Sequence, residues 1–227
     1  MTKIKTKDAA KATIGAAAVV LSLGLSVALP GSASANVASC TVPNPEEISD
    51  DDAQALYDCI IAVMQEHRTT LEAGGEIEGP SWLLSDAPEA QAFLDYESVA
   101  RVPYESGTHG GRYVYNLADP VAMPSYSQYE AGSPMPVGGI LAKPSFVVSD
   151  TGEARLGPLF LMERAEDGAY PEMGDWIYSA IMPNGSVLGP TGGPNHGRVQ
   201  FCADCHLGMG AETDSMTYVP EEYRIAN

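Results

Sequence analysis

The chain has 227 residues, of which 44% are hydrophobic, with 12 basic and 30 acidic side chains and 4 cysteines. Residues 1–35 hold four of the basic and one of the acidic side chains, so residues 36–227 keep 8 and 29 and a formal charge of −21. Phosphate backbones repel so acidic a surface, which excludes nucleic acid as a partner; solubility in a salty medium is the simplest reason for the acidity.

In chain order, Lys3, Lys5, Lys7 and Lys11 precede an apolar run from Ala12 to Leu29, which is followed by Pro30, Gly31 and Ala33-Ser34-Ala35. A basic head, an apolar middle and an A-x-A exit predict a secretory signal peptide over residues 1–35, cleaved after Ala35, and export to the periplasm. A retained anchor facing the periplasm is the alternative, because the run is nearly long enough to span a bilayer. Val37-Ala38-Ser39-Cys40 resembles a lipoprotein box, but it lies well past the apolar run, where such boxes normally abut it. No later segment is apolar enough to cross a membrane. What remains is of a size for one domain, divided into an N-terminal arm and helix (36–80) and a larger part that carries the chemistry (81–227).

Ser49 is placed to N-cap a helix, with Asp50, Asp51 and Asp52 on its first-turn N–H groups. Ala53, Leu56, Tyr57, Ile60, Val63, Met64 and His67 then recur at the helical period, and Gly74-Gly75 ends the run. Cys59 sits on this helix and Cys40 just before it; in an exported protein they are expected to pair, with two buried thiols as the other reading. Strands are expected over 112–115, 139–142, 145–148, 159–162 and 176–181, with turns at Asp150-Thr151-Gly152 and Pro183-Asn184-Gly185. Strands joined by short turns without intervening helices predict an α+β fold around a central antiparallel sheet. Gly189 to Gly197 reads as a loop leading into the cysteine motif.

That motif is Cys202-Ala203-Asp204-Cys205-His206. In C-x-x-C-H the two thiols add to the vinyl groups of one haem and the adjacent His ligates its iron, a chemistry completed outside the cytoplasm. A redox C-x-x-C would want a βαβ setting, which the strand pattern lacks, and a zinc site would need further ligands. The sixth iron position separates an electron carrier, closed by Met, from a site open to small molecules. Met162, Met173, Met182, Met209 and Met216 are available, and none stands out as a ligand. Lys143 is the only lysine after residue 35.

From about His109 onward the chain resembles the cytochrome P-460 family, which includes the cytochrome c-prime-beta group. The resemblance rests on His109-Gly110-Gly111-Arg112-Tyr113-Val114-Tyr115-Asn116, on Gly139 to Lys143, on Pro158 to Met162, on Tyr170-Pro171-Glu172-Met173-Gly174-Asp175-Trp176 and on Phe201 to His206. It covers about half of residues 36–227. It implies an antiparallel sheet holding a c-type haem with His206 as proximal ligand and an open distal side. It also implies that Lys143 matches the lysine bonded to the porphyrin edge and Arg112 a distal arginine. Family members with that bond oxidise hydroxylamine and bind nitric oxide; the cytochrome c-prime-beta relatives bind nitric oxide without that oxidation. Pro144 departs from the family, where an acidic residue is common, and predicts a bend beside Lys143. Glu172 and Asp175 are candidates for proton transfer or for shaping the turn before Trp176.

Three functions follow: a redox enzyme on small nitrogen compounds with a redox partner protein, a nitric oxide binding protein without turnover, or an electron carrier with a closed iron. A homodimer is compatible with each.

Overall fold

The computed structural model describes residues 36–225; the expected signal peptide lies outside them. Ser49 opens helix α1 (Asp50–Glu72) with a reciprocal capping box, its Oγ accepting from Asp52 N–H and the Asp52 carboxylate accepting from Ser49 N–H, each at 3.1 Å. The helical stripe read from the sequence, Ala53 through His67, is the buried face. Gly74 takes the left-handed φ of 76° that ends the helix, and its N–H caps Leu71 O. Cys40 and Cys59 are disulfide-bonded, so the N-terminal arm is tied to α1.

Ten strands follow: β1 (Glu97–Ser98), β2 (Tyr104–Ser106), β3 (Arg112–Val114), β4 (Leu117–Ala118), β5 (Ile140–Lys143), β6 (Ser145–Val148), β7 (Ala154–Leu156), β8 (Leu159–Arg164), β9 (Trp176–Ile181) and β10 (Val187–Leu188). The α+β class holds and every pairing is antiparallel, but the strands form two sheets instead of one. Their orders are β1-β4-β5-β8-β9-β10 and β2-β3-β6-β7. The chain crosses between them at residues 99–103, at residues 115–116, at Pro144 and at Gly157-Pro158. Pro144 therefore makes the expected bend as a corner: β5 ends in one sheet and β6 begins in the other. A short helix α2 (Glu89–Ala92) precedes β1, α3 (Met123–Tyr126) interrupts the strands between β4 and β5, and α4 (Gln200–Leu207) carries the cysteine motif. No helix of the described residues is long and apolar enough to cross a membrane.

Strand alternation gives the larger sheet two different faces. Ala142, Leu159, Leu161 and Ile181 pack in one core with Leu56, Ile60 and Met64 of α1. The opposite face presents Leu141, Lys143, Phe160, Met162, Tyr178 and Ala180, in register across β5, β8 and β9. Its lower part packs in a second core with Ala203 of α4, Trp176 and Met173.

Candidate functional site

Over this second face lies a cavity of about 780 Å3, lined by residues of both sheets, α4 and the segment after it. Its size falls in the roughly 300–1,000 Å3 range of pockets that enclose a sizeable ligand. Arg112, Lys143 and the Cys202–Cys205–His206 motif, three regions far apart in sequence, all line it.

The proximal wall is built from the C-terminal part of the chain. Cys202 and Cys205 on α4 are free thiols. Burial pushes the Cys202 thiol up to about 11, the reverse of the lowering that activates a redox C-x-x-C. His206 follows on the last turn of α4, its ring 5.5 Å from that of Tyr178. Its Nδ1 lies 2.9 Å from Ser215 O, so Nδ1–H donates there and Nε2 keeps its lone pair. Burial, and secondarily the Lys143 charge, lowers His206 to about 4, so the imidazole is neutral.

The Ser215 carbonyl is itself held in place. Asp214 and Ser215 are both left-handed, at φ 52° and 59°, a conformation that non-glycine residues adopt at a cost. Trp176 Nε1 donates to Asp214 O at 2.9 Å, Met135 N–H donates to the Asp214 carboxylate at 2.9 Å, and Arg164 lies 3.4 Å from it. The stretch before Trp176 has the same supporting role. Asp175 accepts from Gly168 N–H and Tyr170 N–H, which holds its carboxyl below the usual range. Asp175 and Glu172 do not line the cavity; Asp175 shapes the turn before Trp176, and Glu172 is exposed.

The other walls carry the remaining polar groups. Lys143 ends β5, opposite Phe160, and makes no hydrogen bond or ion pair among the described residues. Burial lowers its amine to about 8, leaving an appreciable unprotonated fraction near neutral pH. Arg112 makes no ion pair among the described residues; its Nη1 donates to His109 O at 2.9 Å. His109 lines the cavity beside it, its ring 5.0 Å from that of Phe160 and its Nδ1 2.9 Å from Ser106 Oγ. Tyr104 OH donates to Asn116 Oδ1 at 2.9 Å and Asn116 Nδ2 to Tyr126 OH at 2.7 Å, a buried network along the β4 side. Of the methionines, Met162, Met182, Met209 and Met216 line the cavity, while Met173 is buried in the second core.

The residues fit a covalently held haem. Two free thiols flank an imidazole whose lone pair is fixed by a carbonyl, which is how protein-bound iron ligands are oriented. Leu141, Phe160, Met162 and Leu188 offer an apolar bed for a flat macrocycle. Tyr178 is 2% exposed, and its hydroxyl has no partner among the described residues although it borders the cavity. A buried hydroxyl left unpaired is costly, so this atom points to a group in the cavity with an acceptor to offer.

The sequence places His109 and Asn116 only within a motif and Tyr178 only within a strand, and carries no signal for the Ser215 carbonyl. No protein-family model matches the chain, and no curated protein matches it.

Proposed function

We propose that the protein is an exported mono-haem c-type cytochrome whose distal side is open. Its haem c is attached through Cys202 and Cys205, and its iron is ligated by His206. The observation that carries this reading is the His206 Nδ1–Ser215 carbonyl bond beside two free thiols in one cavity wall. The bound haem would supply an iron centre that binds small ligands and exchanges single electrons.

The chain's own residues then suggest which ligands. Arg112, which pairs with no carboxylate among the described residues, is available for charge-assisted hydrogen bonds to an N–O ligand. Lys143 holds a partly unprotonated, nucleophilic amine in the same cavity. Bonding it to a porphyrin edge would replace a C–H by a C–N bond with loss of two protons and two electrons, the electrons passing to an external two-electron oxidant such as a peroxide. These features, with the resemblance to the cytochrome P-460 family, favour redox chemistry on small nitrogen compounds: hydroxylamine oxidation together with nitric oxide binding. Oxidation would require a redox partner protein to accept electrons, and the site is expected to work in the periplasm. The second reading, an electron carrier, draws on Met162 and Met216, which line the cavity.

Absorption spectra of the purified holoprotein, joined to mass analysis under denaturing conditions, test this. A Lys143 cross-link gives a strongly red-shifted Soret band that Lys143→Arg abolishes, and hydroxylamine is turned over. An ordinary c-haem spectrum without turnover leaves nitric oxide binding alone. A low-spin, Met-ligated ferric spectrum removes both pocket readings in favour of the carrier.

A further inference from the structure

One polar wall of the cavity is left unused by the proposed attachment. Tyr104 at the start of β2, Asn116 just before β4 and Tyr126 at the end of α3 all line the cavity, and all three are buried. Tyr104 OH donates to Asn116 Oδ1, and Asn116 Nδ2 donates to Tyr126 OH. One amide between two phenols cannot use both phenolic hydrogens: its carbonyl takes one, and its amino group meets the other phenol as a donor. Turning the amide over exchanges the two tyrosines and leaves the count unchanged. One O–H hydrogen, that of Tyr126 as the bonds stand, therefore has no acceptor among the described residues. A buried donor without a partner is costly, so this wall calls for an acceptor inside the cavity.

Two further observations say what kind of acceptor. The first is charge. Residues 36–227 hold 8 basic and 29 acidic side chains, yet apart from histidines the charged residues lining the cavity are Arg112, Lys143 and a single carboxylate, Glu105. The register that pairs Leu117 with Ala142 brings Asn116 opposite Lys143, and the bond from Tyr115 N–H to Pro144 O continues it. An anion on this side of the cavity has the Lys143 amine for a neighbour and no close row of carboxylates to repel it. The second is position. Cys202 and Cys205 lie on α4, which packs against β9, whereas Asn116 stands on the β4 side of the same sheet, three strand spacings or about 14 Å away. Haem carries its two carboxylates on the edge away from its vinyl groups. Thiols that bind the vinyl carbons near β9 leave the carboxylates for the β4 side.

We propose that Tyr104, Asn116 and Tyr126 form the seat of the haem's carboxylate edge, the spare phenolic hydrogen being donated to one propionate oxygen. The inference rests on the haem reading above and adds how the ring is turned in the cavity. A hydrogen bond to the ionised form holds that propionate charged, and it does so without drawing on Arg112.

Infrared titration of the holoprotein, with its haem isotope-labelled at the two carboxyl groups, tests the seat. The double variant Tyr104→Phe/Tyr126→Phe removes the donor. One labelled carboxylate is then expected to titrate higher by about one to two pH units, the equivalent of one charge-assisted hydrogen bond. Each single variant shifts it by less, because the amide can turn over and pass the spare hydrogen to the remaining tyrosine. If the double variant does not fold, a shift of the same sign in either single variant carries the test. Tyr178→Phe, on the thiol side, leaves both carboxylates as in the wild type. An unchanged titration in every wall variant that folds overturns the proposal, and so does a shift that only Tyr178→Phe produces. In either case the haem reading stands, because the label is on the protein. If denaturing mass analysis of the wild type finds no haem, the haem reading and the seat fall together.

Discussion

Tyr178→Phe gives opposite results depending on whether the cavity is loaded. The substitution removes one oxygen from a side chain that is 2% exposed and whose hydroxyl meets no protein acceptor. In haem-free protein the buried hydroxyl is a liability, and deleting it stabilises by about 1–3 kcal/mol. For a chain of this size that raises Tm by roughly 2–4 °C per kcal/mol. On the haem reading, the hydroxyl is expected to donate to an acceptor that arrives with the haem, so its deletion from holoprotein costs about 1–3 kcal/mol. The assay is thermal unfolding of wild type and variant, each with and without haem. A Tm change of the same sign in both forms would refute the reasoning, because it means that the cavity brings Tyr178 no partner.

Removing the disulfide by Cys59→Ser frees a loop with a sequence separation of 19. It is expected to cost about 3 kcal/mol by loop entropy, read as a lower urea midpoint; an unchanged midpoint rejects it. Acid has a definite sign. His109 and His206 stand at about 3 and about 4 against 6.5 when free, both lowered first by burial. The unfolded chain therefore binds more protons below pH 6.5, and the stability these histidines confer, complete above 6.5, is lost as pH falls through 4 and 3. His109→Phe in haem-free protein should flatten that dependence by up to about 1.4 kcal/mol per pH unit, measured by urea unfolding from pH 7 to 4; an identical slope contradicts the neutral, buried imidazole.

The sequence was most informative where a periodic pattern or a fixed motif bears directly on local structure. Helix α1 was readable from Ser49 to Gly74 because cap, buried stripe and terminator are all local signals. The five expected strands lie on β3, β5, β6, β8 and β9, since alternation is set by neighbours in the chain. Their division between two sheets was not readable. β5 and β6 look like adjacent arms around Pro144, and only their partners, β4 and β8 against β3 and β7, assign them to different layers. The two- and three-residue strands β1, β2, β4 and β10 are too short to carry a period.

The site divides the same way. Cys202, Cys205 and His206 stand out in the sequence because haem attachment demands that spacing, and the structure brings all three to one cavity wall. Lys143 attracted attention as a lone lysine. His109 acquires its setting only when the β2–β3 turn is brought over Phe160, forty residues and more further on. Tyr178 looked like any strand aromatic, and the Ser215 carbonyl is backbone, to which no side-chain signal corresponds.

That carbonyl has a consequence for how the chain can be shortened. C-x-x-C-H is complete at residue 206, yet the atom that orients its imidazole comes nine residues later, aimed by two left-handed residues and tethered to Trp176. A chain ending between 207 and 213 would keep every residue that names the motif and lose the carbonyl that orients its imidazole. The setting of the motif's imidazole is therefore finished by the segment that follows the motif, at Asp214 and Ser215.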